Sequence, residues 1–218
     1  MQRILIIPAL VIVSFCGLSL CTEGNSQVHQ IQTDSATLTP AINADSLRMV
    51  TEFPIQLTSI EKYITANSGK YSKKYAVLID MKIPSNHYRF FLVDLIKDSI
   101  VQKGLVAHGS GSETNKADSL VFSNTPNSYM TSLGIYKFGV SYQGSFGKSY
   151  RLHGLEKTNS KAFDRAVVFH SYGYVPTEEQ AAPIMNSLGC PMVSPDFFNV
   201  IDGYIQKEKL PMLMKIYY

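Results

Sequence analysis

The residues Asn186-Ser187-Leu188-Gly189-Cys190-Pro191 hold the one cysteine that lies beyond the first 21 residues of the chain. A thiol is a strong nucleophile only as thiolate, so a working cysteine needs a base or a cation beside it. The Ser-x-Gly turn ahead of Cys190 predicts a tightly bent, exposed loop. Behind it, Ser194 reads as a helix N-cap and Pro195 as the first helical residue. That order predicts a thiol near the positive end of a helix dipole, which favours the thiolate. His170 closes the apolar run Ala166-Val167-Val168-Phe169, twenty residues upstream of Cys190. A strand, a connection and a loop can fold back across that separation. Cys190 therefore reads as a nucleophile and His170 as its base. Composition alone allows the competing reading, a buried and inert thiol.

The chain has five histidines. His29 lies in a polar N-terminal stretch, and His87 follows Asn86 in a turn. His108-Gly109 and His153-Gly154 sit at strand ends, where a histidine can line a site but more often serves structure. Zinc is the other chemistry that several histidines raise. It needs three or four ligands in fixed geometry, and carboxylates are sparse around these positions. Paired-cysteine metal spacing and nucleotide-binding glycine motifs are missing. No metal and no other cofactor is expected.

The elements that must position the pair are mainly strands. Short apolar runs at Tyr75–Met81 and Tyr88–Asp94 read as strands, and Lys97-Asp98 turns the second into Ile100–Ala107 as an antiparallel hairpin. His108–Ser112 is a loop signal, and the Ser/Asn/Thr-rich stretch to Thr131 is long and irregular, as functional loops often are. Strand alternation resumes at Gly134–Tyr142 and Tyr150–Gly154. Arg165–His170 reads as a central strand. Thr177-Glu178-Glu179-Gln180 is a capping box that predicts a helix to about Asn186. Ser194–Lys207 predicts a second helix, and Leu210–Tyr218 a closing strand. Between Ser46 and Asn67, apolar residues recur at helical intervals, and Pro54 predicts a split into two short helices. The fold class is mainly β with a few short helices.

Compartment follows from the N-terminus. Arg3, the apolar stretch Ile4–Leu20 and polar Thr22-Glu23-Gly24-Asn25 read as an export signal over residues 1–21. Leu18-Ser19-Leu20-Cys21 resembles a bacterial lipobox with a poorly fitting leucine before the cysteine. Plain cleavage, a lipid on Cys21 and a retained anchor stay open. Membrane association is expected only through this leader or that lipid. Residues 22–45 read as a flexible linker and residues 46–218 as one domain with a sizeable core. Cys16 and Cys21 belong to the leader, so the exported body has one thiol and no disulfide partner. In an oxidising compartment such a thiol is a liability unless buried or used. The net charge of +3 is too mild to argue for nucleic acid.

His170, sixteen further residues and then Ser187-Leu188-Gly189-Cys190 resemble the His…Ser/Thr-x-Gly-Cys signature of L,D-transpeptidases of the YkuD-like fold. The resemblance is closest to the murein L,D-transpeptidase catalytic-domain subfamily and covers roughly residues 60 to 218. It is carried by Phe91–Leu95, Val106–Gly109, Phe122–Pro126, Ser132–Gly134, Tyr142–Gly144, Gly154–Lys157, Arg165–Val168 and Ser187–Pro191. It implies a YkuD-like β-sandwich or mixed β-sheet catalytic domain in the periplasm or cell envelope. It further implies that Cys190 attacks a peptidoglycan stem peptide and forms a thioester, which the amine of a second stem peptide, or of a wall-attached protein, resolves. By the same resemblance His170 moves the proton, the Ser171 carbonyl orients its ring, the N–H groups of Cys190 and Gly189 form an oxyanion hole, and Ser187 shapes the turn. His153 and Tyr172 are implied substrate contacts. Many relatives carry an arginine two residues after the cysteine, where this chain has Met192. Arg151 and Arg165 are the candidates to replace it. A hydrolase with the same site, either an L,D-carboxypeptidase or an amidase, and a non-catalytic wall-binding module are the alternatives.

Overall fold

A single mixed sheet of eight strands organises the structure, with order β3-β2-β1-β8-β4-β5-β6-β7. The computed structural model describes residues 43–116 and 119–218. The expected leader, the linker as far as residue 42, lipobox Cys21 and His29 lie outside the described residues, and the last linker residues, Asn43 to Asp45, are the cap and first residues of a helix. The strands are β1 (Tyr75–Asp80), β2 (Phe90–Asp94), β3 (Ser99–Gly104), β4 (Gly134–Gly144), β5 (Gly147–Gly154), β6 (Val168–Ser171), β7 (Met192–Val193) and β8 (Leu213–Tyr217). Two α-helices, α1 (Ala44–Ala66) and α2 (Pro195–Ile205), and a single 3-10 turn at Ser110–Ser112 complete the regular structure among the described residues. β1 pairs with β8 and β6 with β7 in parallel, and the other neighbours run antiparallel.

Alternation along the strands fills two apolar layers, because successive side chains point to opposite faces. Val77 and Ile79 of β1 join Phe90, Leu92, Tyr136, Met214 and Phe169 under the α2 residues Phe197, Phe198 and Ile201. Ala76 and Leu78 join Phe91, Val93, Ile135 and Leu213 under Phe53, Ile60 and Ile64 of α1. The α1 face continues across the sheet through paired residues. Leu213 faces Lys137, which faces His153 on β5. Two residues back along β5, Arg151 faces Val168, and Ser149 faces His170. Beyond the cover of α1, one sheet face thus carries Lys137, His153, Arg151 and His170.

Three expectations about elements are corrected. The two short helices are one 23-residue helix that runs through Pro54. Proline forfeits one backbone bond there. The turns on both sides stay docked, through Phe53, Ile60 and Ile64 against the sheet and Arg48 against Asp80. The predicted helix after Thr177 does not form. Its carboxylates and carbonyls bond sideways to the β1–β2 connection: Glu179 accepts from the Tyr88 N–H, Glu178 from the Tyr88 hydroxyl, and the Asn86 amide donates to the Gln180 carbonyl. The strand ending at His170 starts only at Val168, because Ala166 takes a left-handed conformation (φ 55°). It lies next to the sheet edge rather than at its centre. The closing strand forms as expected, as β8, and lies inside the sheet between β1 and β4. The sheet, the β2–β3 hairpin and the Ser194-capped helix form as expected.

Arg48 clamps α1 to the end of β1 with two 2.8 Å bonds to the buried Asp80 carboxylate. Replacing Arg48 by Ala leaves that carboxylate without its cation. Removing one partner of a fully buried pair costs about 3–5 kcal/mol. Arg48 keeps 22% of its side chain in water, so the expected loss is nearer about 2 kcal/mol. Chemical denaturation with an unchanged m-value checks it.

Candidate active site

The cysteine turn is held on two sides by backbone. On one side, the Ser187 N–H donates to the His108 carbonyl, the Ser110 N–H to the Ser187 carbonyl and the Ala107 N–H to the Met192 carbonyl, each at 2.8 Å. On the other side, β6 runs alongside: the Tyr172 N–H donates to the Val193 carbonyl at 2.9 Å, and the Val168 N–H to Cys190 Sγ at 3.4 Å. Inside the turn, the Ser187 hydroxyl donates to the Cys190 carbonyl at 2.6 Å and accepts from the Gly189 N–H at 3.1 Å. Gly189 sits at φ +113°, a conformation side chains disfavour. Gly109 packs against it, and a Cβ on Gly109 would fall 2.1 Å from the Tyr129 carbonyl and 2.8 Å from Gly189 Cα.

His170 is buried, and its ring is fixed from two directions. Nδ1 donates to the Ser171 carbonyl at 3.0 Å, which leaves Nε2 as the acceptor nitrogen. The Phe146 ring, from the β4–β5 turn, stacks on it at 4.3 Å and 25°. Tyr172 meets Phe146 edge-on at 6.1 Å and lies beside Tyr174. Cys190 is half-buried and unpaired. Its Sγ–H is directed to the Ala166 carbonyl at 3.9 Å. Among the described residues no hydrogen bond joins it to His170. Catalytic hydrogen bonds often tighten only when substrate binds.

The protonation state differs from expectation. The two-residue strand β7 stands between Cys190 and α2. Burial pushes the thiol above its ordinary value, against the opposing pull of the Val168 N–H and the charges of Arg165 and Arg151. Burial also lowers His170, opposed by its bond to the Ser171 carbonyl. At neutral pH the pair rests as neutral thiol and neutral imidazole, not as the ion pair that a helix dipole would favour.

The other expected residues divide. Arg165 is committed to structure: Nη1 donates to the Ser123 carbonyl at 2.8 Å and Nη2 to the Met130 carbonyl at 2.6 Å, pinning the 123–132 loop beneath Gly189. Arg151 and His153 share the open sheet face, with Phe163 stacked on His153 at 4.8 Å. The Gly189 N–H is spent on Ser187. Among the described residues the Cys190 N–H has no acceptor, so it is a free donor at this turn.

Behind the turn lies a buried relay the sequence did not announce. Arg89 is 1% exposed. Burial pulls its pKa down to about 9, still charged at neutrality. It donates to the Val106 carbonyl at 2.7 and 2.9 Å and to His108 Nδ1 at 2.8 Å. His108 Nε2 must then donate to Glu113 (2.7 Å), which also accepts from the Asn186 amide, one residue before Ser187. Arginine always donates, so this chain of bonds requires neutral His108. Phe146 also escaped sequence reading. Its one signal is an aromatic residue at the tip of a Gly144–Gly147 turn.

The sequence pattern of the L,D-transpeptidase catalytic domain family matches residues 50–214. No curated protein sequence matches the chain. Among solved structures it is similar to Bd1075 of Bdellovibrio bacteriovorus, at 13% identity over 67% of this chain and 48% of that one, with TM-score 0.41. It is also similar to an L,D-transpeptidase from Mycobacterium smegmatis (13%, 66% and 59%, TM-score 0.40). A third likeness is to an L,D-transpeptidase from Xylanimonas cellulosilytica (16%, 69% and 63%, TM-score 0.35). The chain covers roughly half to under two thirds of the length of these chains.

Two measurements follow from the electrostatics. Alkylation of Cys190 by iodoacetamide should accelerate with pH through a midpoint above the usual thiol value. A midpoint below pH 7 would contradict the neutral pair. Stability should fall on acidification. Burial, aided by Arg89, lowers His108 in the folded state, so the unfolded chain takes up that proton first. Stability is then lost as pH drops below about 6.5. Thermal melts from pH 7.5 to 5 should show it. His108→Gln should have a shallower slope, with the remainder set by His170 and His153, which are lowered too.

Proposed function

Because this chain belongs to the L,D-transpeptidase catalytic domain family, we propose that it is an exported cysteine acyl-transferase acting on peptidoglycan stem peptides. The observation that carries the reading is the register of β6 against the cysteine segment. His170 pairs with Met192, the Val168 N–H two residues before His170 donates to the Cys190 sulfur, and the bond from Nδ1 to the Ser171 carbonyl leaves His170 Nε2 free, which supports reading the two as a pair.

In the proposed reaction the Cys190 proton passes to His170 Nε2 as sulfur bonds to the peptide carbonyl. The carbonyl oxygen gathers negative charge, and the Cys190 N–H is the available donor to it. Losing one such donor typically costs about 3 kcal/mol of barrier. The C–N bond to the terminal D-residue then breaks, and its amine leaves with the proton from His170. A thioester remains. The amine of a second stem peptide, or of a wall-attached protein, attacks it. Its proton returns through His170 to the departing sulfur. The bond energy stays in the thioester, so the reaction needs no nucleotide outside the cytoplasm. Ser171 and Ser187 position the two reacting groups, and Tyr172 and His153 flank the face on which substrate lies. The N-terminal leader delivers the domain to the periplasm or cell envelope, whether it is then cleaved, retained as an anchor or lipidated at Cys21.

Incubation with muropeptides and mass spectrometry of the products tests this. The expected product is a dimer joined through third residues. It should be lost in Cys190→Ala and reduced at least about a thousandfold in His170→Asn, since general acid–base catalysis contributes about 10²–10⁴ and the thiol also loses its proton acceptor. Trimmed monomers alone would make the enzyme a carboxypeptidase or amidase. No product, with Cys190→Ala indistinguishable from the parent, would leave a wall-binding module.

A further inference from the structure

Arg151 is a cation with no counterion. Among the described residues its guanidinium meets no carboxylate and no carbonyl. It lies over the Tyr142 ring at 4.9 Å and reaches Phe163 at 5.9 Å. Two aromatic faces hold a planar guanidinium in place while leaving its N–H edge free to grip an anion in two-pronged fashion. Arg165 has no such freedom, because its N–H groups are bound to the Ser123 and Met130 carbonyls. Met192, two residues after the cysteine, is buried and apolar.

A cleft of about 560 Å³ opens at Arg151 and is lined also by Lys137, His153, Phe163, Glu208 and Lys209. Its one carboxylate, Glu208, accepts a 2.6 Å bond from the Ser72 hydroxyl. Lys137 and Lys209 form no ion pair among the described residues. His153 is held neutral by burial and by the charge of Lys137. Three cations thus face one carboxylate in a space of the size that small ligands occupy. Cys190 does not line this cleft, and Arg151 is the link between the two. Arg151 pairs across the β5–β6 ladder with Val168, whose N–H donates to Cys190 Sγ. Neighbouring strands lie about 4.8 Å apart, and the Arg151 charge is felt at the sulfur.

We infer that this cleft is an anion subsite that takes a carboxylate of the acyl-donor peptide, with Arg151 as the residue that reads it and Lys137 in support. The inference rests on the acyl-transfer reading of Cys190. A donor tetrapeptide offers two carboxylate sources, its C-terminus and the side chain of its third residue, and both present the same chemistry to Arg151.

Three synthetic tetrapeptides separate the sources: the free acid, the C-terminal carboxamide and the third-residue side-chain carboxamide. With the parent enzyme, amidation of the carboxylate that is read should raise KM about tenfold to a hundredfold, as loss of a charge-assisted pair does. Amidation of the other should change little. Arg151→Gln should suffer the same loss on the free acid and then treat acid and carboxamide alike within about twofold. Arg151→Lys should recover part of the loss. Peptide binding to Cys190→Ala, with and without Arg151→Gln, gives the same comparison without turnover. Discrimination that survives Arg151→Gln, or a parent enzyme and a Cys190→Ala protein blind to amidation, overturns the subsite while leaving acyl transfer standing. Arg151-dependent discrimination in binding without any turnover upholds the subsite and removes the acyl-transfer reading instead.

Discussion

The site depends on one constraint: the segment from Ser187 to Val193 is pinned between two pieces of backbone. Residues 107–110 hold its outer edge and β6 its inner edge, with main-chain bonds near 2.8 Å on the outer side. Side-chain contacts tolerate slippage, but a backbone ladder has a register. A shift by one residue would turn Cys190 to the opposite face. The sulfur is placed relative to His170 by main-chain pairing, since no bond joins their side chains directly. The glycines belong to the same constraint. Gly109 is where the two backbones come too close for a Cβ, and Gly189 holds a positive φ that side chains rarely adopt.

That constraint explains why a buried relay sits behind the turn. Arg89, His108, Glu113 and Asn186 form one line of hydrogen bonds from the interior to the residue before Ser187. An arginine buried without a carboxylate in direct contact is costly. Here its charge is spread over the Val106 and Ile83 carbonyls and one imidazole nitrogen. Each member fixes the next: arginine sets the His108 tautomer, and the tautomer orients Glu113. Low dielectric strengthens such a network when every member is satisfied. Its product is a rigid outer edge for the cysteine turn, which loop residues alone would not provide.

Legibility in the sequence followed interaction range. Strand alternation, the Ser194 N-cap and the Ser-x-Gly-Cys turn are local patterns, and they read correctly as elements. The pairing of Ser187 with Gly109 spans nearly eighty residues, and nothing at either end announces it. The capping box at Thr177 was misread for a related reason. Its carboxylates had better partners at Tyr88, far away in the chain. Pro54 misled in the opposite direction. The local cost of a missing bond was real, but docking of both flanking turns on the sheet outweighed it. The protonation state was beyond reach as well. Helix position can be inferred from sequence, whereas burial of the sulfur is a property of the packed site.

A neutral resting pair would suit the lone thiol of an exported domain, as this chain is proposed to be. Oxidants and stray disulfides attack thiolate far faster than thiol, so a raised pKa protects the sulfur between reactions. The same burial makes His170 a weaker base, which sounds like a penalty. It is not one where proton transfer and carbonyl attack coincide. In the proposed reaction thiolate need not accumulate beforehand, because the proton would move to Nε2 as the carbon–sulfur bond forms. Phe146 contributes to both effects, since stacking on the imidazole removes water from one of its faces. In the acyl transfer proposed above, water excluded from the ring would also be kept from the thioester, and a thioester kept dry survives until an amine reaches it. On that reading, burial of the sulfur and its base would serve transfer on both counts, by storing the nucleophile safely and by denying hydrolysis its reagent.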